Sequence, residues 1–232
     1  HPQEAGGEAV NPFGHMFIEG SGTMTPWQLH VLNWQHCTRC PLHEQRTQVV
    51  LARGSLPCDV CFIGEAPGVS EDSLGTPFEG PAGKLLDKII ESALVGSGYK
   101  SDARGSDQDA VRVAFTNLVG CFPLEQKRAG INEPPQDAIE ACAPRLREFV
   151  ALAKPKLIVC VGGLAEKWVP KILGKGPTDA KQGFLLLDGE GPRLVLASIK
   201  HPAAILRENM AVQSLSVQKC VVAIADAVEE LQ

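Results

Sequence analysis

The stretch DVCFIGEAPG, residues 59–68, decides the fold. Its first half, Asp59 to Ile63, is a short apolar run of the kind that forms a strand buried on both faces. Its second half, Gly64 to Gly68, ends this run with a carboxylate and a tight turn rich in glycine and proline. Ligands of open parallel α/β sheets bind at the carboxyl ends of the strands. This junction is therefore predicted to form one wall of a binding site.

A second junction of the same kind lies far along the chain. Leu194 to Ala197 (LVLA) is another short apolar run, and His201-Pro202-Ala203-Ala204-Ile205-Leu206-Arg207 follows it. If both runs are strands of one parallel sheet, their carboxyl ends share an edge. The two junctions are then predicted to face each other across one active site.

The rest of the chain alternates between strand-like and helix-like patterns. Val111 to Phe115 and Lys156 to Val161 are further apolar runs, which gives four core strands. Helices are predicted between them from apolar spacing and from start signals. The first helix begins at Thr25-Pro26. The others cover 85–94, 139–150, Leu164 to Leu173 and Ala211 to Leu231. The sequence thus predicts an α/β fold, a three-layer sandwich with a central four-stranded parallel sheet flanked by helices.

The composition indicates one domain. Of the 232 residues, 44% are hydrophobic, enough for one sizeable core, and no run of about eighteen uninterrupted apolar residues suggests a membrane span. We expect residues 1–24 to be a flexible leader, a processed end or an expression remnant, residues 25–232 to form the domain, and 96–109 to be a surface insertion. No secretory pattern opens the chain, so a cytoplasmic protein is expected.

The charge balance argues mildly against a protein that binds nucleic acid over its whole surface. There are 22 basic and 27 acidic residues, a net charge of −5. A local basic groove remains compatible with this balance. Its candidate residues are Arg39, Arg46, Arg53, Lys127, Arg128, Lys200 and Arg207.

The eight cysteines leave several metal sites open. Cys37-x2-Cys40 and Cys58-x2-Cys61 match the spacing of a zinc ribbon. If Cys58 and Cys61 belong to a strand, however, their side chains leave opposite faces, and Cys61 is then a buried core thiol. Cys121 and Cys142 are the other candidates to partner Cys37 and Cys40, and four thiolates would also suit an iron–sulfur cluster. Spacing alone does not choose between a cluster, zinc and unliganded thiols.

A phosphate-binding loop is excluded although Gly83-Lys84 follows a glycine-rich turn. The Walker pattern requires glycine at the position of Phe78 and serine or threonine at the position of Leu85. Nucleotide hydrolysis is therefore not predicted.

Six segments in one order resemble the iron–sulfur uracil-DNA glycosylases, family four of the uracil-DNA glycosylase superfamily. They are Cys37 to Leu42 with Arg46 to Val50, Gly64 to Asp87, Thr116 to Cys121, Pro134 to Cys142, Lys154 to Val159 and His201-Pro202. The gaps between Cys40 and Cys121 and between Cys121 and Cys142 are longer than expected of that family. The resemblance implies a DNA repair enzyme that hydrolyses the N-glycosidic bond of uracil, flips the base out of the DNA and leaves an abasic site.

The resemblance also assigns roles to single residues. Cys37, Cys40, Cys121 and Cys142 would hold a structural [4Fe-4S] cluster. Glu65 would orient water or favour the cationic sugar, and His201 would stabilise the uracil anion. The substrate-binding residues would be Asn117, which reads the base edge, Phe78, which stacks on the base, Glu71, which crowds the thymine methyl, and the backbone at Ala66 and Gly68. The position after Glu65 is Ala66, so the aspartate that activates water in the best-known branch of the superfamily is missing.

Contacts with DNA are expected from the segment around His201. Ile205 and Leu206 would wedge into the gap left by the flipped base, while Lys200 and Arg207 would hold phosphates. The expected partner is uracil-containing DNA, double- or single-stranded, and the protein is expected to be a monomer of prokaryotic or viral origin without a membrane. Two alternatives remain: a catalytically weak DNA-binding or replication-associated protein with the glycosylase fold, and a glycosylase for another deaminated or modified base.

Overall fold

The structure is a computed structural model and describes residues 24–96, 101–102, 111–123, 133–174, 176–181, 184–188 and 194–231. The predicted leader, most of the predicted insertion at 96–109, and Lys127 and Arg128 lie outside these ranges.

Four parallel strands form the centre of the sheet, as predicted. They are β2 (Val60–Gly64), β4 (Val111–Asn117), β5 (Leu157–Val161) and β8 (Leu194–Ile199), in the order β4-β2-β5-β8. Residues pair in register from Val60 with Val113 to Gly64 with Asn117, and from Leu157 with Val195 to Val161 with Ile199. Near-continuous burial of these strands explains why their sequences read as apolar runs.

Four further strands in the described ranges extend the sheet beyond the predicted four. On one side, β1 (Arg53–Gly54) pairs antiparallel with β4, and β3 (Ser101–Asp102) pairs parallel with it. On the other side, β7 (Phe184–Asp188) pairs antiparallel with β8, and β6 (Gly176–Lys181) pairs with β7. The prediction of four strands therefore described the core of the sheet and missed its edges.

Seven α-helices and one 3-10 turn are present in the described ranges. The helices are α1 (Pro26–Trp34), α2 (Val69–Leu74), α3 (Pro81–Gly96), α4 (Gln136–Ala153), α5 (Gly163–Leu173), α6 (Pro202–Ile205) and α7 (Met210–Glu229), and the 3-10 turn covers Pro41–Glu44. The predicted start at Thr25-Pro26 is confirmed. The Thr25 hydroxyl accepts the amide N–H of Gln28 at 3.1 Å, and the Gln28 side chain accepts the Thr25 amide N–H at 2.8 Å.

Alternating residues of the strands face two separate apolar layers. Cys61 and Ile63 of β2 pack with α1, α4 and α5, whereas Val60 and Phe62 pack with α3, α6 and α7. Burial in both layers confirms the three-layer sandwich.

Helix α7 is long and apolar enough, by length and composition alone, to cross a membrane. Its residues Cys220, Ile224, Ala227 and Val228 are buried against the sheet and α3, whereas Met210, Val212, Leu215 and Val222 are exposed, so the helix packs along one face only. The parallel arrangement brings the carboxyl ends of β2, β4, β5 and β8 to one edge, where Gly64, Asn117, Val161 and Ile199 end the strands. Both junctions that the sequence singled out lie at this edge.

Candidate active site

A cavity of about 240 Å³ opens at the carboxyl edge of the sheet. The residues predicted to be catalytic or substrate-binding all line it: Glu65, Ala66, Gly68, Glu71, Phe78, Asn117 and His201. The structure thus brings together side chains that are up to 136 positions apart in sequence, from Glu65 to His201.

Asn117 ends β4 with its side chain at the cavity. The residue is only 3% exposed, and its side-chain amide has no hydrogen-bond partner among the described residues. Gly64 lies beside it, and a Cβ there would stand 2.5 Å from Oδ1 of Asn117 and 2.6 Å from Cζ of Phe78. The amide faces the cavity, so a ligand there can complete its hydrogen bonds. Asn117 is therefore placed to read a polar, planar group.

Phe78 forms an aromatic wall of the cavity in a left-handed backbone conformation, with φ of 58°. Such a conformation is unfavourable for a bulky residue and occurs where the surroundings enforce it. Arg53 enforces it here, because its Nε donates to the carbonyl of Pro77 at 2.9 Å and its guanidinium pairs with Asp87 at 2.7 Å. Gly83 is also required, since a Cβ there would stand 1.8 Å from the Phe78 carbonyl oxygen.

Glu71 lies at the cavity wall with a buried carboxylate that holds the loops around it. Oε1 accepts the amide N–H groups of Glu79 and Gly80 at 3.0 and 2.8 Å, and Oε2 accepts that of Gly68 at 3.0 Å. The Gly68 amide is thus already bonded, and Pro67 has no N–H. Of the predicted backbone donors from Ala66 to Gly68, only the Ala66 amide lacks a partner among the described residues.

Glu65 lies between the turn after β2 and the first turn of α5. Burial raises the pKa of its carboxyl, Glu133 raises it further, and the Leu164 amide N–H opposes the shift by donating to the carboxylate. Gly162 makes the approach possible, because a Cβ there would stand 2.6 Å from Glu65 Oε1 and 3.3 Å from the His201 side chain. The carboxylate and the imidazole therefore flank one glycine.

His201 is held in one tautomer at the start of α6. Its Nδ1 accepts the amide N–H of Ala203 at 3.1 Å, which assigns the proton of the neutral ring to Nε2. Burial lowers the pKa of His201, the positive charge of Arg207 lowers it further, and Glu71 opposes the shift. His201 is therefore a neutral donor at neutral pH, with an Nε2–H group to offer a ligand.

The four residues around His201 that are predicted to contact DNA differ in their exposure to solvent. Leu206 is 44% exposed and Arg207 is exposed, as a wedge and a phosphate contact require. Ile205 is 0% exposed in the core, so its prediction as a wedge is wrong. Lys200 is half-exposed and pairs with Glu208, which follows on the same segment.

The four cysteines predicted as ligands line a second, small cavity together. Cys37 and Cys40 lie between α1 and the 3-10 turn, Cys121 follows β4, and Cys142 lies on α4. Two guanidinium groups contact the sulfurs: Arg46 Nη1 is 3.4 Å from Cys121 Sγ, and Arg145 Nε is 3.2 Å from Cys142 Sγ. Burial raises the pKa of Cys121 to about 11.

This donor set suits a cluster better than a single ion. Within the described ranges, no three His, Cys, Asp or Glu side chains are grouped closely enough to chelate one metal ion. In a [4Fe-4S] cluster each thiolate binds a different iron, so the sulfurs need not meet at one point. Four thiols and two nearby cations fit such an anionic group, and Cys58 and Cys61 do not line this cavity.

Comparison with known proteins identifies the family. The profile of the Uracil DNA glycosylase superfamily matches residues 52–225, which span the sheet and both walls of the cavity. The chain belongs to the uracil-DNA glycosylase superfamily.

Within this superfamily the type-4 enzymes are similar over most of the chain. A type-4 uracil-DNA glycosylase of Pyrobaculum aerophilum is 32% identical over 75% of this chain and 81% of its own length. One of Thermotoga maritima is 32% identical over 75% of this chain and 79% of its own. A type-5 uracil-DNA glycosylase of Pyrobaculum aerophilum is 26% identical over 78% of this chain. The resemblance to the type-4 family is thereby confirmed.

Sequence reasoning missed three residues that shape the superfamily site in this chain. Gly162 could have been found, because it directly follows an apolar strand, as Gly64 precedes the turn at the other wall. Arg53 and Arg145 could not, because arginine is usually exposed and both are buried here. Arg53 was predicted as part of a basic groove, which is wrong: its guanidinium lies 3.8 Å from the centre of the Phe115 ring, inside the core.

The position of Cys58 bears on the orientation expected for its side chain relative to that of Cys61. The chain enters β2 only at Val60, so the alternation of a strand does not govern Cys58. The neighbouring Cys58 thiol helps to raise the pKa of the Cys61 thiol, and both residues lie in the same apolar layer. The condition for the predicted opposite orientation, that both cysteines belong to one strand, is therefore not met, whereas the prediction of Cys61 as a buried core thiol is confirmed at 0% exposure.

Proposed function

We propose that this protein excises uracil from DNA by hydrolysing the N-glycosidic bond, leaving an abasic site. The observation that carries the proposal is the side-chain amide of the buried residue Asn117, which faces a cavity that Phe78, Glu65 and His201 also line. Membership of the superfamily and the similarity to type-4 enzymes support the same reaction.

Base recognition rests on Asn117 and Phe78. A side-chain amide can donate to O4 of uracil and accept from N3–H, whereas cytosine presents the inverse pattern. Phe78 packs on Phe115 with its ring centre 5.8 Å away and supports the extruded base. Glu71, fixed by three amide N–H groups, forms the rigid wall that the methyl group of thymine would meet.

Bond cleavage develops positive charge on the sugar and negative charge on the base. His201 Nε2–H donates to O2 of the leaving base, and a neutral ring performs this without first taking up a proton. The Glu65 carboxylate orients a water molecule or stabilises the cationic sugar. Because the pKa of Glu65 is raised, the carboxylate is more basic than an exposed glutamate.

DNA engagement requires the uracil to leave the helix, at a cost of a few kcal/mol. Leu206 fills the gap that the flipped base leaves. Arg207 contacts a phosphate, and Lys200 does so after it gives up its ion pair with Glu208.

A [4Fe-4S] cluster would be held by Cys37, Cys40, Cys121 and Cys142. It would supply a structural cross-link and no redox step. We propose a monomer acting on double- or single-stranded DNA in the cytoplasm of a prokaryotic or virus-infected cell.

The proposal is tested on protein purified without oxygen and incubated with labelled DNA that contains one uracil. Alkali then breaks the strand wherever an abasic site has formed. We expect strand breaks from the wild type, and a loss of about 10²-fold or more for Asn117→Ala and His201→Ala. Asn33→Ala and His36→Ala, which alter exposed residues near α1, are the matched controls.

A wild-type chain that leaves uracil intact would refute uracil excision. The same assay with hypoxanthine, xanthine or alkylated bases then tests the glycosylase alternative, and DNA binding without any cleavage identifies the scaffold alternative.

A further inference from the structure

Arg145 is a fully buried arginine between the cysteine cavity and the cavity of Asn117. It lies on α4 and is 1% exposed. One end of its side chain, Nε, is 3.2 Å from Cys142 Sγ. At the other end, Nη2 donates to the backbone carbonyl groups of Asn117 and Leu118, the latter at 3.2 Å. One side chain therefore connects a cysteine of the second cavity with the end of β4.

The remaining contacts show how rigid this connection is. Nη1 donates to the Thr116 hydroxyl at 3.1 Å, and that hydroxyl donates to the Leu51 carbonyl at 2.7 Å. On the opposite side of the chain, the Leu118 amide N–H donates to the Gly64 carbonyl at 2.9 Å. The backbone at Asn117 is thus held from two sides, which fixes the direction in which its side chain leaves.

The charge of Arg145 is not balanced by a carboxylate within the described residues. Its partners are a sulfur, a hydroxyl and two carbonyl oxygens. A buried cation is stable only when hydrogen bonds and negative charge compensate it. The planar fork of the guanidinium suits these partners, because it can donate to a sulfur at one end and to two carbonyl groups at the other.

We infer that Arg145 is a positioning residue for base recognition, which holds Asn117 in its reading orientation and couples that orientation to Cys142. This inference rests on the proposed uracil excision. It assigns Arg145 a role through Asn117 and no contact with the substrate. Lysine cannot replace it, because a single ammonium group cannot hold two carbonyls and a hydroxyl in the same fixed geometry.

The test is a double-mutant cycle read as binding selectivity. The probe is a duplex with 2′-fluoro-2′-deoxyuridine, whose glycosidic bond resists cleavage because fluorine disfavours positive charge on the sugar. Selectivity is its affinity relative to the same duplex with 2′-fluoro-2′-deoxycytidine at that position, because cytosine presents the inverse donor and acceptor pattern to Asn117. The variants are Arg145→Lys, Arg145→Gln, Asn117→Ala and the combination of Arg145→Lys with Asn117→Ala. Iron content is measured on every sample, and selectivity is compared at equal iron content.

We expect Arg145→Lys to reduce selectivity about tenfold when Asn117 is present, and less than about twofold in the Asn117→Ala background, because the two residues then act as one unit. Arg147→Lys and Arg147→Gln are matched controls on the same helix. Arg147 is exposed and donates to the Ile172 carbonyl at 2.8 Å, away from the cavity. Both control variants should keep wild-type selectivity.

Equal losses in both backgrounds would overturn the inference, as would wild-type selectivity in Arg145→Lys. If Arg145→Gln does not fold, Arg145→Lys decides. A chain with Arg145→Lys that also fails to fold would overturn the positioning role, because Arg145 would then serve the whole fold. The wild-type arm separates the two hypotheses. A wild-type protein that neither prefers the fluorinated uracil nor excises uracil refutes the proposed function, whereas a selective wild type with an unaffected Arg145→Lys refutes this inference alone.

Discussion

Glu65 shows how a single residue of the site opposes folding and serves chemistry. Burial raises the pKa of its carboxyl in the folded chain, so the ionised form is disfavoured there relative to the unfolded chain. Its contribution to stability is fully present below the unfolded pKa and is lost as pH rises through the higher folded pKa. Above this raised pKa the folded protein therefore carries an ionised carboxylate at the expense of stability.

Replacing the Glu65 carboxylate tests both its cost in stability and its role in the reaction. We expect Glu65→Gln to raise the melting temperature at pH 7.5 by roughly 2–4 °C, the shift that about 1 kcal/mol produces in a domain of this size. The gain should disappear near pH 4, where Glu65 is also neutral. Uracil excision should fall by about 10²- to 10⁴-fold. Thermal unfolding at both pH values and the strand-break assay measure the two effects.

Glu140→Gln is the control for this substitution, because Glu140 is exposed on α4 and bonds only Gln136 among the described residues. A melting temperature unchanged by Glu65→Gln at pH 7.5 would show that Glu65 is not disfavoured as an anion. Full activity of the variant would remove Glu65 from the reaction.

At the scale of elements, the central strands could be predicted because burial on both faces leaves continuous apolar runs. The predicted strand Lys156 to Val161 differs from β5 by one residue, and the predicted strand Val111 to Phe115 lies within β4. β1 and β3 have two residues each, too few for any periodic signal. The run FLLLD of β7, by contrast, has the apolar composition that favours a strand.

The site was predictable to the extent that its residues end strands. Glu65, Asn117 and His201 each follow an apolar run, and parallel topology then brings them to one edge. The supports of the site were not predictable, because Arg53 and Arg145 owe their roles to contacts with segments distant in sequence. Ile205 was misplaced for a related reason: the aliphatic pair Ile205-Leu206 does not reveal which member faces the core.

The short segment around α6 contains a carboxylate that competes with DNA phosphate for Lys200. Lys200 and Glu208 flank α6 and pair with each other, which lowers the pKa of Glu208 and neutralises the lysine. We predict that Glu208→Gln frees Lys200, raises affinity for DNA about severalfold at low salt and steepens the salt dependence by up to about one charge. Binding titrations at several salt concentrations measure both quantities.

The cause is isolated by a second substitution. In the Lys200→Ala background, Glu208→Gln should produce no gain if the effect acts through Lys200. Glu229→Gln, at the exposed far end of α7, controls for the general loss of a negative charge. Equal gains from Glu208→Gln with and without Lys200 would show that Lys200 does not contact phosphate.

For the whole molecule, the cysteine cavity joins segments that are distant in sequence. Cys37 and Cys40 follow the first helix, Cys121 follows the strand that ends at Asn117, and Cys142 lies on the helix that also carries Arg145. A cluster held by these four residues would cross-link the α1 side of the sandwich to the base-reading strand. Its loss should therefore weaken both the fold and the recognition of uracil.

Two cysteine substitutions distinguish this ligand set from the alternative spacing. Cys142→Ala should lose iron, and with it the absorption at about 400 nm that thiolate-bound clusters give. It should also lower the melting temperature and reduce uracil excision. Cys58→Ala removes a thiol that is buried beside Cys61 in the core, so it should keep about four irons per chain and cost only about 1 kcal/mol of stability. Iron analysis, absorption spectra and thermal unfolding of protein purified without oxygen provide the comparison. Loss of iron from Cys58→Ala with retention in Cys142→Ala would instead assign the metal to the Cys58-x2-Cys61 pair. A wild type without iron would leave the four thiols unliganded, with Arg46 in contact with Cys121 and Arg145 in contact with Cys142.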